Sequence, residues 1–419
     1  MAQSGGSSKF FQAIGTAPWV RELILNKDGN PRSILFNITL ALEHAPELKD
    51  AIMWDMFRTE TMLMAPVPWD MAPTVPRGWT DQDDREVTAW LQNQGLIADQ
   101  RIVNAAVETV AQRTAFHSVI EYLLRVRAIG WDGTPRIDTW VMDYCGAADT
   151  PFARAVGARW LISAVARIQE PGCKVDTVLV FEGPQGILKS TVFQILGGAF
   201  YTNDVAAIGT TAAQEQILGK WIIEFDEMDA VTRGRELAAV KAFISRGTDD
   251  FRLPYARRSQ SHPRQCVFCA TTNPETWHRD TTGARRWWPL KVGIVCPIDT
   301  NGLHRDRDQL WAEAFDRWNQ GERWWLHEPE LIAAQIAEMQ SRQEEDPWSD
   351  PAVNAARTLT SPSVPYVSLS QVMHEMGIPL DRRDRSVAQR IGALLTHRGW
   401  TRIVMLEQDG RPRFYYQKP

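Results

Sequence analysis

The chain has 419 residues, a formal net charge of −5 at pH 7 and 44% hydrophobic residues. That length predicts about three domains with sizeable cores. The acidic balance excludes polyanion binding by bulk charge, the lack of an apolar run of membrane length excludes a helical membrane span, and five cysteines, an odd count, argue against a disulfide framework and for a reducing compartment.

In chain order, Met1 to Lys9 is polar and Ser/Gly-rich and reads as a flexible start, not a signal peptide. Residues 10 to about 80 mix apolar and polar patches with turns such as Asp28-Gly29-Asn30-Pro31 and read as mixed α/β. From 82 to 125 the chain reads as helical, with Val103, Ala106, Val107, Val110 and Ala111 on one face. Residues 10–145 together are expected to form a mostly helical collar. A further helix over 150–168 carries Ala155, Leu161, Ile162 and Ala166 as apolar positions. The 18 tryptophans are scattered without period and read as packing residues at domain joints.

An apolar strand from Thr177 to Phe181 then feeds into Gly183-Pro184-Gln185-Gly186-Ile187-Leu188-Lys189-Ser190, and a helix starts at Thr191. This is the pattern of a phosphate-binding loop: a buried strand, a Gly-rich turn whose amides face phosphate, a lysine for the terminal phosphates and a serine for Mg²⁺. The nucleotide contacts are therefore expected from Gly183 through Thr191. Leu188 stands where such loops usually carry glycine. Next, Trp221-Ile222-Ile223-Glu224-Phe225-Asp226-Glu227 is an apolar strand ending in two acids, with Asp226 assigned to the Mg²⁺ shell and Glu227 to the attacking water.

A third strand, Cys266 to Thr271, ends in Thr272-Asn273-Pro274, which places Asn273 where a polar group meets the γ-phosphate. Cys266 and Cys269 form a Cys-x-x-Cys without a second pair and read as strand residues, not as a metal site. Residues 246–264 carry Arg246, Arg252, Arg257, Arg258 and Arg264 against Asp249 and Asp250, with Phe251 and Tyr255 interleaved. Guanidinium groups neutralise phosphates and aromatic faces stack bases, so Arg252, Tyr255, Arg257 and Arg258 are the candidate DNA contacts. Thr282-Gly283-Ala284-Arg285-Arg286-Trp287-Trp288 supplies adjacent arginines of the kind that stabilise a transferring phosphoryl group from a neighbouring subunit.

Beyond, Leu310, Trp311, Ala314, Phe315 and Trp318 recur at helical spacing and suggest a lid helix. Residues 343–365 are acidic, then Pro/Ser-rich, and read as a linker. In the last fifty residues two short helices, Leu369 to Met376 and one marked by Val387, Ile391, Leu394 and Leu395, precede strands Thr401 to Leu406 and Arg413 to Tyr416, joined at Asp409-Gly410. That order suggests a winged helix, with Arg382, Arg383, Arg385, Arg390, Arg398, Arg411 and Arg413 available to a DNA backbone.

The series Gly-Pro-Gln-Gly-x-x-Lys-Ser, Trp-x-x-Glu-x-x-Glu, the arginine-rich stretch with Pro254-Tyr255, Thr-Thr-Asn and Thr-Gly-x-Arg-Arg-x-Trp-Pro resembles the virulence-associated protein E family. Phe116-His117, Trp131-Asp132-Gly133, Pro171-Gly172-Cys173-Lys174-Val175-Asp176 and Arg307-Asp308-Gln309-Leu310-Trp311-Ala312-Glu313-Ala314 extend the likeness over roughly residues 110–325. The family comprises helicase-like ATPases of phages, prophages and mobile islands, similar to superfamily 3 helicases with an AAA+ core. The resemblance implies an α/β fold with an AAA+-like P-loop core, a parallel sheet flanked by helices, over 146–330; the residues themselves add a helix and linker over 331–365 and a winged-helix-like domain over 366–419.

It further implies ATP and Mg²⁺ as cofactors, with Lys189 on the β- and γ-phosphates, Ser190 and Asp226 serving the metal, and Glu227 the water. Glu224 matches the first acid of the family's strand and shares the acidic role. Asn273 becomes the sensor, and Arg285 or Arg286 the finger entering the next subunit's site. The implied activity is an ATP-dependent DNA helicase or translocase, a hexameric ring around single-stranded DNA, in the cytoplasm of a bacterial host, with primase supplied by another chain. The alternative is an ATP-switched DNA-binding initiator or regulator with little turnover, which Leu188 favours.

Overall fold

The computed structural model describes residues 18–72, 74–205, 208–226, 236–252, 258–273, 284–342, 346–406 and 412–418. The chain divides into two units at Arg342, residues 1–342 and 343–419.

The region expected as a helical collar contains a sheet. Strands β1 (Ile52–Asp55), β2 (Glu60–Leu63), β3 (Arg77–Gly78) and β4 (Ala115–Phe116) are ordered β3-β2-β1-β4. Strands of two to four residues are too short for alternation to announce them. Helices α1 (Leu35–His44), α2 (Asp81–Asn93) and α3 (Gln100–Arg113) accompany the sheet, and Val103, Ala106, Val107, Val110 and Ala111 are buried on α3 as the periodicity requires. The 82–125 stretch is interrupted rather than continuous, because β4 separates α3 from α4 (Ser118–Ile129).

Helix α5 (Pro151–Gln169) leads to the central sheet. Its strands are β5 (Val178–Glu182), β6 (Tyr201–Thr202), β7 (Ile222–Phe225), β10 (Val267–Thr272) and β11 (Trp287–Lys291), with a separate hairpin, β8 (Thr248–Phe251) and β9 (Gln260–Pro263), inserted before β10. The order is β11-β5-β10-β7-β6, and every pairing is parallel. Parallel sheets survive with both faces covered, and β5, β7 and β10 are buried at every position.

Alternate residues feed two cores. Leu179, Phe181, Ile222, Cys269 and Trp288 join α5, α6 (Lys189–Gly197) and α8 (Thr300–Asn319); Val178, Val180, Ile223, Phe268 and Cys266 join α7 (Glu236–Ile244) and Met339 of α9 (Pro329–Ser341). The Cys-x-x-Cys is thus split between the two faces. Helix α8 is core rather than lid, because its stripe Leu310, Trp311, Ala314 and Phe315 is buried and Trp311 packs on Trp221 with ring centroids 4.2 Å apart. Tryptophans fill this layer instead of marking joints: Trp160 Nε1 donates to Phe268 O and Trp221 Nε1 to Ala164 O, each at 2.9 Å. At the end of α9, Arg342 Nε donates to Glu182 Oε1 at 2.5 Å in an ion pair whose side chains are 5% and 3% exposed.

In the second unit, part of the expected linker is helix α10 (Ser349–Leu359), with Ala352, Val353, Ala355 and Ala356 buried. Its apolar side packs with Val372, Met373, Ile391 and Leu395 of α11 (Leu369–Glu375) and α12 (Arg385–His397). Strand β12 (Tyr366–Ser368) completes an antiparallel sheet with β13 (Thr401–Leu406) and β14 (Pro412–Gln417), ordered β12-β14-β13. The sequence reading captured the two later helices and the hairpin strands, and missed the first helix and strand; the Asp409-Gly410 turn lies outside the described residues.

Candidate functional site

The carboxyl ends of β5, β7 and β10 are neighbours, and the segment expected to hold phosphate follows the first of them. Gly186 has φ +84° and Leu188 φ +70°, ψ 26°, the left-handed region that glycine favours. Leu188 keeps the turn with its side chain 49% exposed, and α6 begins at the next residue. A leucine in this region is disfavoured by about 1–2 kcal/mol. Leu188→Gly is therefore expected to raise unfolding stability in urea by roughly 0.5–1 kcal/mol after glycine's own entropy is subtracted; a loss of stability would mean that leucine contacts outweigh the strain.

Lys189 is buried, and its Nζ donates to Gly183 O at 2.6 Å, Pro184 O at 2.8 Å and Asn273 Oδ1 at 3.0 Å. Burial pushes its ammonium pKa down, opposed by the nearby Glu224 carboxylate. Asn273, at the end of β10, thus meets the lysine that the sequence reading linked to the same phosphate.

The acids separate differently from expectation. Ser190 Oγ donates to Glu224 Oε1 at 2.7 Å, Thr271 Oγ1 to the same oxygen at 2.8 Å, and Tyr201 OH to Oε2 at 2.6 Å. Glu224 is fully buried opposite Cys269 in the β7–β10 register. Burial pushes its carboxyl pKa up, against the pull of the three hydroxyl donors, and the Asp226 charge adds to the rise. Asp226, assigned from sequence to the metal beside Ser190, lies past the end of β7, is exposed, and accepts from Asn203 Nδ2 at 2.8 Å. The strand stops at Phe225, so the chain has already left the sheet when Asp226 is reached. Glu227 lies outside the described residues. Tyr201 lies in no motif that would have flagged it, and Thr271, the first residue of Thr-Thr-Asn, reads in sequence only as the end of a strand.

Arg285 and Arg286 sit in a single 3-10 turn before β11. Arg285 is exposed and pairs with Asp176 at 3.3 Å; Arg286 Nε donates to Ser245 Oγ at 3.1 Å. Both are held by residues of their own chain.

The arginine-rich stretch is the β8–β9 hairpin, paired from Thr248↔Pro263 to Phe251↔Gln260. Arg252 and Arg258 are exposed toward its tip; Tyr255 and Arg257 lie outside the described residues. Arg264 belongs to the base. Its Nε and Nη2 donate to Asp249 at 2.5 and 2.9 Å, and its guanidinium lies 4.3 Å from the Phe243 ring centroid. The chain is anchored there by Gly172 N donating to Arg264 O at 2.9 Å and Arg264 N to Gly247 O at 2.8 Å. A Cβ on Gly247 would come within 2.7 Å of Gly172 O, so the contact needs glycine.

In the second unit, several of the arginines assigned to DNA are engaged internally. Arg390 pairs with Asp346 at 2.7 Å and lies over the Trp348 ring, Arg398 pairs with Asp350 at 3.0 Å, and Arg383 Nε donates to Ile378 O at 2.8 Å. Arg382, Arg385 and Arg413 are exposed; Arg411 is outside the described residues.

No helix among the described residues is long and apolar enough to cross a membrane. No curated protein matches the chain. Solved structures similar to it include the apo NrS-1 C-terminal region (305–718), 8% identical with a TM-score of 0.41, covering 87% of this chain and 95% of that chain. An A-form apo structure of the NrS-1 C-terminal region is 10% identical with a TM-score of 0.36, covering 71% and 75%. A profile of the virulence-associated protein E-like domain matches residues 126–345, more than half of the 419 residues and the whole of the Lys189–Glu224–Asn273 cluster, so the chain belongs to the virulence-associated protein E-like family.

Proposed function

We propose that the chain is an ATP-hydrolysing DNA motor serving the replication of a phage or other mobile element. The observation that carries this reading is the linked cluster of Lys189, Ser190, Glu224 and Asn273 at the carboxyl ends of three adjacent parallel strands, the edge at which open parallel sheets bind ligands. The all-parallel order β11-β5-β10-β7-β6, with the turn leaving β5 inside the sheet, supports reading it as a P-loop core.

The residues present fit a magnesium triphosphate. A serine hydroxyl and a carboxylate are hard oxygen donors suited to Mg²⁺, and the glycine-containing turn and Lys189 suit the phosphates. Bound magnesium would neutralise charge on the β- and γ-phosphate oxygens. In this assignment Lys189 exchanges its carbonyl partners for phosphate oxygens, Ser190 and Glu224 hold the metal's shell, Asn273 orients the γ-phosphate and Glu227 orients water. Tyr201 and Thr271 hold Glu224 in place. Arg285 or Arg286 serves the site of the next subunit in a ring, a hexamer in this reading.

The exposed Arg252 and Arg258, with Arg257 and Tyr255, contact single-stranded DNA, and Arg264 does not. The helix-strand-helix-helix-strand-strand order of the second unit supports a winged helix, with the exposed Arg382 and Arg385 as its backbone contacts.

Lys189→Ala is expected to abolish binding of a fluorescent ATP analogue, and wild-type hydrolysis to be stimulated by single-stranded DNA and to rise cooperatively with protein concentration. Undiminished binding by Lys189→Ala overturns the site. Tight binding without turnover at any concentration favours the second reading, an ATP-switched initiator, to which the left-handed Leu188 directs attention.

A further inference from the structure

The loop after β11 is fastened beside the turn after β5. Val292 N donates to Glu182 O at 2.9 Å, Gly293 N to Cys145 O at 2.8 Å, and Ile294 N and Val295 N to Gly146 O at 3.1 and 3.0 Å. Gly146 has φ +62°, and a Cβ there would lie 2.0 Å from Cys296 O, so this approach admits only glycine. Ile187, within the turn itself, bridges the two: its Cδ1 would be 2.8 Å from a Cβ on Gly183 and 3.0 Å from one on Gly293.

The turn and the loop are therefore fastened side by side, and beside the exposed Gln185, Lys291 and Cys296 the junction presents three aliphatic side chains. Ile294 is 55% exposed and Val295 70%, on the loop, and Leu188 49%, on the turn. Single exposed aliphatics are ordinary. Two on a loop whose amides at 293–295 are all spent on backbone carbonyls present carbon and no donors, directly beside the segment that takes phosphate in the proposed function. Ligand sites combine such apolar walls with a few polar groups.

We propose that Ile187, Ile294 and Val295 form the shelf that receives the nucleobase of the nucleotide whose phosphates sit on Gly183–Ser190. This rests on the proposed function. The occupant follows from continuity: Ile187 is part of both surfaces, so a ligand anchored on the turn has its remaining part beside the loop. Recognition on this shelf is by apolar contact with the flat face of a purine, not by side-chain hydrogen bonds.

The test titrates the full chain with ATPγS and with inorganic tripolyphosphate, both with magnesium, in wild type and in Ile294→Ser/Val295→Ser. Both positions are exposed, so the variant is expected to keep its circular dichroism and its melting temperature. ATPγS affinity should fall roughly tenfold, as for loss of on the order of 60 Å² of apolar contact, with tripolyphosphate affinity unchanged, and Ile294→Leu/Val295→Ile should restore ATPγS binding. Equal ATPγS affinity in wild type and variant overturns the shelf, as does a parallel loss for both ligands, which would mean that the loop merely braces the turn. Loss of self-association in sedimentation with ATPγS affinity intact also overturns it and makes a second copy the occupant. Failure of wild type to bind either ligand removes the phosphate site itself, a result distinct from all of these.

Discussion

Glu224→Gln is expected to lower ATP hydrolysis on the order of 100-fold, while Asp226→Asn lowers it less than about threefold. Glu224 is the buried carboxylate that accepts from Ser190, Thr271 and Tyr201, whereas Asp226 is exposed and bonded to Asn203. Glutamine keeps the volume and one accepting oxygen but removes the charge that would hold a divalent cation beside Ser190 in the proposed site. Steady-state phosphate release at saturating magnesium distinguishes the two acids. If Asp226→Asn is as inactive as Glu224→Gln, the division between them is wrong and the strand-end aspartate regains the role that the motif alone suggests. Tyr201→Phe falls between, because it removes one of three donors and leaves the charge.

The second large effect concerns stability. Arg264→Ala leaves Asp249, 3% exposed, without its principal partner and should cost about 3–5 kcal/mol of unfolding free energy. Arg246 stands 3.7 Å from the same carboxylate, but it is half in solvent and replaces little of the lost pair. Arg258→Ala, on the exposed side of the hairpin, should change stability by less than about 0.5 kcal/mol and weaken single-stranded DNA binding instead. Urea denaturation of both variants, with DNA binding of Arg258→Ala in parallel, checks the pair. An Arg264→Ala protein as stable as wild type, with weakened DNA binding, would return Arg264 to the surface role that charge counting suggested.

These two cases show where sequence is a good guide and where it stops. The β5 strand and the turn after it were legible because an uninterrupted apolar run followed by glycines and Lys189-Ser190 has few other readings. The three strands were legible for the same reason: each is buried on both faces and so mostly apolar, with Glu182, Glu224 and Thr271-Thr272 as the polar exceptions. The choice between Glu224 and Asp226 was not, since it depends on where β7 ends, and strand ends are not marked by composition. Tyr201 and Thr271 act only through a register of neighbours, Tyr201↔Ile222 and Cys269↔Glu224, which appears once the sheet is assembled.

The arginines of residues 246–264 look alike in sequence, yet Arg252 and Arg258, beyond the paired end of the hairpin, are exposed, whereas Arg264, at its base, is buried on Phe243. In the N-terminal region, where residues 10–80 read as mixed α/β, strands two to four residues long could not be placed individually, and β4 was hidden inside a stretch that reads as helical. Helix α10 was hidden by the acidic and proline-containing segments on either side of its Ala352-Val353-Ala355-Ala356 face.

The Arg342–Glu182 pair gives the molecule a mechanical address. Arg342 is the last residue of the first unit, and Glu182 is the residue immediately before Gly183. The end of the first unit is therefore tied by a buried ionic clasp to the strand that leads into the Gly183–Ser190 turn. Arg342→Lys would keep the charge of this clasp but give up the fork of donors that reaches both Glu182 and Glu338.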